Sequence, residues 1–161
     1  IVPLHLGTIA ALTPDDIEVD IWEELIHGRI DEGREFSKDY DMVGITGYSS
    51  HLNRVREIAQ IFRSRNTTVV IGGVGASATP ERVRAAADVL FIGEAELTWP
   101  RFIEDWKSGN HHNRYWQATK PDLITSPAPR WNSIADQMQE YLMGAVQTTR
   151  GCPFDLSLIH I

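Results

Sequence analysis

Strand-like and helix-like apolar patterns take turns between residues 17 and 109, and this rhythm constrains the fold more than any other feature of the chain. "IEVDIW" (17–22) alternates apolar and polar residues at period two, as a half-buried strand does. "DMVGITGY" (41–48) reads as a buried strand entering a Gly-containing loop, "NTTVVIGG" (66–73) as a β-branched strand ending in a Gly pair, and "DVLFIG" (88–93) as a short strand. Between them, "HLNRVREIAQIFRSR" (51–65) sets Leu52, Val55, Ile58, Ala59 and Phe62 at helical spacing. "TPERVRAAAD" (79–88) offers Thr79 as N-cap and Pro80 at the first helical position, and "EAELTWPRFIEDWKSG" (94–109) reads as a helix with a Pro near its start and Gly109 at its end. The pattern predicts strands near 17–22, 41–47, 67–72 and 89–92, all parallel, with helices on both faces: a doubly wound α/β fold. Antiparallel pairing among those four strands would contradict it.

The flanking segments carry different signals. Residues 3–12 read as a helix with Pro3 in its first turn, 13–16 as a turn, and 23–40 as a short helix broken at Gly28 and then loop. A doubly wound domain ordinarily opens on a central strand, whereas this chain opens on a helix. A fragment is the expected reading, with a first strand missing and a gap or non-standard closure in the sheet. Pro121, Pro127 and Pro129 punctuate residues 110–140, which read as an extended linker. "YLMGAVQTTRGC" (141–152) then reads as a new strand entering a Gly-turn loop, the start of a second domain.

Composition narrows the function classes. A chain of 161 residues can bury one sizeable core with an appendage. The net charge of −7 argues against nucleic acid as the main partner, since such binders cluster Lys and Arg on one face. No apolar run approaches the roughly 20 residues of a membrane span, and no signal peptide pattern opens the chain. A single cysteine makes no internal disulfide, so a cytoplasmic location is expected.

In an open α/β sheet, ligands bind beyond the carboxyl ends of the strands. Here those ends read "ITGYSS", "IGGVGAS" and "FIGEAE". Glycines there either let a ligand approach the backbone or only make tight strand-to-helix turns, and composition alone leaves both open. "GGVGAS" is neither a dinucleotide fingerprint after the first strand nor a P-loop. No histidine spacing resembles a zinc site. Glu94 and Glu96 are candidate acid–base groups or ordinary carboxylates near a helix start.

Four stretches, "VGITGYSSHLNRVREIAQIFRSR", "VVIGGVGASATPE", "FIGEAELTWPRFIEDW" and "QTTRGCPFD", together resemble the cobalamin-binding radical SAM proteins in content and order. The resemblance runs from Pro3 to Asp155. In that family a Rossmann-like cobalamin domain precedes a barrel holding a [4Fe–4S] cluster and S-adenosylmethionine. The resemblance implies a cobalamin domain over 1–109 without its first strand, a linker over 110–140, and the truncated start of a radical SAM domain over 141–161. It implies that the nucleotide tail of cobalamin is surrounded by Thr46, Gly47, Tyr48 and Ser49, by Gly72, Gly73, Val74 and Gly75, and by Gly93, Glu94 and Glu96. Two features depart from the pattern. The Asp-x-His-x-x-Gly motif that supplies a lower ligand to cobalt is absent, and Gly75 stands where a His is frequent.

The same resemblance assigns Cys152 as the first ligand of a C-x-x-x-C-x-x-C cluster motif. Leu156 and Ile159 stand where the second and third cysteines belong, and neither ligates iron. The implied activity is that of a longer parent enzyme: methyl transfer to an unactivated carbon of a small molecule, or a radical cyclisation or rearrangement. The rivals are a non-catalytic cobalamin or small-ligand module and a plain flavodoxin-like interaction domain.

Overall fold

In β2 (Thr68–Gly72) the consecutive residues Val69, Val70 and Ile71 are all buried, which requires a central strand covered on both faces. The computed structural model, which describes residues 1–36, 38–117 and 119–150, shows such a strand. β2 pairs in parallel with β1 (Met42–Thr46), from Met42 opposite Thr68 to Thr46 opposite Gly72. On its other side it pairs in parallel with β3 (Val89–Ile92), which pairs in parallel with β4 (Arg114–Trp116). The order is β1-β2-β3-β4, so the fold is the expected parallel α/β architecture.

Side-chain alternation sorts the strands into two cores. Ile45, Val69, Ile71 and Leu90 face α3 (Leu52–Ser64), which buries Leu52, Val55, Ile58, Ala59, Ile61 and Phe62 against them. Met42, Val70, Val89, Phe91 and Tyr115 face the other way, toward α5 (Thr98–Lys107) and toward Ile9 and Leu12 of α1 (Leu4–Leu12). The second core is largely aromatic. Phe91 stacks on Tyr115 at 5.2 Å and meets Phe102 edge-on at 5.4 Å, the offset and T-shaped geometries that ring quadrupoles favour. Pro100 sits in the first turn of α5, where its missing N–H costs no helical bond, and Gly109 follows the helix at φ +72°.

Several expectations are corrected. Residues 17–22 are not a strand. The alternation does bury Ile21 beside α1 and Ile134, but the backbone pairs with no strand. A cavity of about 570 Å³ lies between this segment and β1, so no ladder can form across it. Side chains hold the segment instead: Lys38 bridges Glu18 at 2.6 Å and Asp20 at 2.8 Å, and Tyr40 donates to Asp20 at 2.9 Å. Residues 79–88 are two 3₁₀ turns, Pro80–Arg82 and Arg84–Ala86, not one helix. The Thr79 hydroxyl donates back to the Gly75 carbonyl and does not cap the turn, while Val83 is pulled fully into the first core.

The segment expected as a linker, 110–140, contains β4 and a 3₁₀ stretch, Trp131–Glu140, whose Ile134 is buried against α1. Alternation over only three residues is too short a signal to read from sequence. Among the described residues of 141–150 there is no strand. The helix expected over 94–109 starts only at Thr98, and Pro3 is the N-cap of α1, not its first residue. The short helix before Gly28 is present as α2 (Glu24–His27). No helix among the described residues is long and apolar enough to cross a membrane.

Tyr115→Ala tests whether β4 belongs to the core. The substitution should destabilise the chain by about 3 kcal/mol in urea unfolding, as large-to-small changes in a packed core do. Trp116→Ala, at the exposed neighbouring position, should stay within about 0.5 kcal/mol of wild type. Equal small effects would return 110–140 to the status of a linker.

Candidate functional site

A cavity of about 750 Å³ opens at the carboxyl ends of β1, β2 and β3, within the usual range of about 300–1,000 Å³ for small-molecule sites. Thr46, Gly72, Gly73 and Gly93 form its strand-end floor. Leu4, His5, Thr8 and Ile9 of α1 form one wall, and Glu94, Glu96 and Trp99 another. Residues 146–150 cross over it.

Local backbone demands explain the glycines. Gly73 has φ +85°, and a Cβ there would lie 2.2 Å from the Thr46 hydroxyl. Gly93 has φ +81°, and a Cβ would lie 2.5 Å from the Gln117 carbonyl. Both positions therefore exclude other residues whether or not a ligand is bound. The two readings left open by composition converge here: the turns need glycine, and the surface they leave bare is the cavity floor. Gly75 differs. Its Cβ would lie 2.4 Å from the Gly47 carbonyl, and its N–H donates to that same oxygen at 3.1 Å. That glycine seats the start of α4 (Gly73–Ala78) against the loop after β1.

Of the residues named from sequence, Thr46, Gly72, Gly73, Gly93, Glu94 and Glu96 come together around the cavity. Gly47, Tyr48, Ser49, Val74 and Gly75 do not line it. They make the adjoining loop-to-α4 contact, with Tyr48 and Val74 exposed on its outside. Cys152 lies outside the described residues. Among the described residues, no group of three His, Cys, Asp or Glu side chains could hold a metal ion.

Sequence reasoning missed His5, Thr8, Trp99 and Arg150. His5 and Thr8 are the only polar side chains of "LHLGTIAAL", a helix otherwise apolar all round, and that interruption was a legible signal. Trp99 was read only as a helix residue. Its indole N–H donates to the Thr13 hydroxyl at 2.9 Å in a buried contact, and Thr13 donates in turn to the Ile9 carbonyl at 2.8 Å. This chain of bonds ties α1 to α5 and sets the distance between the cavity walls. Arg150 donates to Glu94 at 3.1 Å, to Glu96, and to the Gln147 side-chain oxygen at 3.1 Å. Glu96 is 9% exposed and also accepts from Ser126 at 3.3 Å. Both carboxylates are thus engaged by a cation, which favours a structural role over free acid–base work.

His5 borders the cavity and is exposed overall. Desolvation holds its pKa below the ordinary histidine value of 6.5, with the Glu23 carboxylate opposing the shift. A depressed histidine contributes stability that is complete above the unfolded pKa and is lost as pH falls through the folded one. His5→Asn should therefore flatten the acid side of the stability profile, by less than the limit of about 1.4 kcal/mol per pH unit for one proton. Urea unfolding at several pH values below 7 measures this, and an unchanged slope would show that His5 is fully solvated.

A family model described as the B12 binding domain matches residues 6–103. The chain is 32% identical over 159 residues to the bacteriochlorophyllide d C-8(2)-methyltransferase of Chlorobaculum tepidum, covering 96% of this chain and 34% of that protein. It is 30% identical over 162 residues to an uncharacterized methyltransferase of Synechocystis sp., covering 99% of this chain and 29% of that protein. An uncharacterized protein of Methanopyrus kandleri is 34% identical over 142 residues, with 77% of this chain and 26% of that protein covered. The chain spans about a third or less of the length of these curated relatives. No solved structure gives a significant match. The family match begins in α1, runs through β1, β2 and β3, and ends in α5: the chain belongs to the B12 binding domain family, with methyltransferases among its homologues.

Proposed function

We propose that this chain is the cobalamin-binding part of a longer radical SAM methyltransferase, and that the 750 Å³ cavity receives the nucleotide tail of the cofactor. The observation that carries this reading is the coincidence of the family match with a glycine-floored cavity at three parallel strand ends. The donor set suits the tail. Bare backbone at Gly72, Gly73 and Gly93 gives close approach, the Thr8 and Thr46 hydroxyls supply polar contacts, and Ile9 and Trp99 supply apolar walls. Bound cobalamin supplies a methyl carrier; the chain's own residues hold and enclose it. Methyl transfer is favoured over cyclisation or rearrangement because two relatives are named as methyltransferases.

The radical SAM part rests on the ordered resemblance that ends in "RGCPFD". Residues 1–161 offer one thiolate, with Leu156 and Ile159 in the remaining motif positions, so this sequence cannot itself hold the cluster, and the reading requires a parent enzyme that carries Cys at both of those positions. In the same reading, the cavity between residues 17–22 and β1 is the seat of a further strand of the sheet. The rival reading, a cobalamin module without catalysis, shares the site and lacks the cluster.

Titration with hydroxocobalamin, followed by visible absorbance and by retention on gel filtration, tests the site. Gly73→Val is a poor probe, since its Cβ meets the Thr46 hydroxyl and the turn itself would fail. Thr8→Trp fills the cavity from α1 and should weaken binding by at least about tenfold, roughly 1.4 kcal/mol. A folded wild-type protein that retains no cobalamin would defeat the proposal. Reconstitution with iron and sulfide separates the two readings: the 161-residue chain should take up no stable cluster, whereas a longer protein with all three motif cysteines should.

A further inference from the structure

We propose that residues 144–150 form a strap that closes the cofactor cavity, and that Arg150, paired with Glu94 and Glu96, is its latch. The inference rests on the cobalamin reading of the cavity. The strap is tied down at two points. Where it begins, the Val2 N–H donates to the Met143 carbonyl at 3.0 Å. Where it ends, Arg150 reaches the two carboxylates beyond β3. Between these points the described backbone makes no hydrogen bond to the rest of the chain, and Val146 is 89% exposed although it borders the cavity. A Cβ at Gly144 would meet nothing within 4 Å, so the start of the strap is not packed against the rest of the chain on that side.

The latch has the electrostatics of a releasable contact. Two carboxylates share one guanidinium; the Arg150 side chain is 20% exposed, Glu94 40% and Glu96 9%. The Glu94 arm is reached and screened by salt, while the shielded Glu96 arm holds the latch between openings. It is also geometrically committed, because the Gln147 side chain accepts from the same guanidinium at 3.1 Å and so stiffens the strap next to the latch. Since 146–150 form one side of the cavity, a bulky ligand enters or leaves when Arg150 lets go. Arg150 is a positioning residue here: it acts through the strap and need not touch the cofactor.

Stopped-flow mixing of the intact chain with hydroxocobalamin tests the latch. Arg150→Gln should accelerate both association and dissociation by about fivefold, the scale of one partly exposed ion pair, and leave affinity nearly unchanged. Raising salt from about 0.05 to 0.5 M should accelerate wild type but not the variant. The double variant Glu94→Gln/Glu96→Gln releases the latch from the other side; because both carboxylates line the cavity, it is read by cofactor-free cleavage alone, which covers the case of an unfolded Arg150 variant. A cofactor-free readout is thermolysin cleavage at Val146, expected to be about fivefold faster in both variants. Unchanged rates and cleavage would overturn the latch while leaving cobalamin binding intact. Slower association with weaker affinity in Arg150→Gln would overturn it in favour of direct contact between Arg150 and the cofactor's phosphate. Failure of wild type to bind cobalamin, with cleavage unaltered in the variants, would remove both proposals.

Discussion

The burial of β2 on both faces is the constraint on which the rest of the molecule depends. Val69, Val70 and Ile71 send side chains alternately into an aliphatic core under α3 and an aromatic core under α5. A strand of this kind cannot sit at an edge, so β1 and β3 must flank it, and the parallel direction sends each connection back across a face through helix or 3₁₀ structure. The carboxyl ends of three adjacent strands are thereby brought to one rim. The cavity follows from that geometry before any side chain is chosen to line it.

Fold and site are coupled through the same few residues. Gly73 and Gly93 adopt positive φ because the chain must turn sharply at the ends of β2 and β3, and because Thr46 and the Gln117 backbone crowd the space a Cβ would take. The bare surface left behind is what a ligand can approach. On the opposite wall, the Trp99–Thr13–Ile9 hydrogen-bond chain fixes α1 against α5, so the width of the cavity is set by a buried polar contact inside an apolar core. A buried indole N–H left without its partner is costly, which makes this spacing specific.

The strap adds a different kind of contact. The sheet, the glycines and the α1–α5 tie are held by burial and are insensitive to salt. Residues 146–150 are held over the opening by charge. Under the strap proposal, the domain pairs a seat held by burial with a cover held by ionic contacts, a division suited to a large cofactor that must be admitted and then retained.

The parallel α/β class, the strands β1, β2 and β3 and the glycine-bearing loops were legible in the sequence. Local patterns carry that information: short continuous apolar runs at 69–71 and 89–91, helical spacing at 52–62, and glycine where φ must be positive. It misjudged residues 17–22 because alternation reports which side chains are buried, not whether a neighbouring edge lies within reach of the backbone. It missed β4, since three residues carry too little periodicity, and it read 79–88 as a helix because the pull of Val83 into the core is not visible locally. Only the tertiary structure decided which members of the glycine loops face the cavity and which merely seat α4, and only it joined Arg150 to Glu94 and Glu96 across more than 50 residues of chain. The physical reason is the same in each case. Backbone preference and side-chain period act over a few residues, whereas a cavity wall, a missing ladder or an ion pair is a relation between distant segments that exists only once the sheet has set their places.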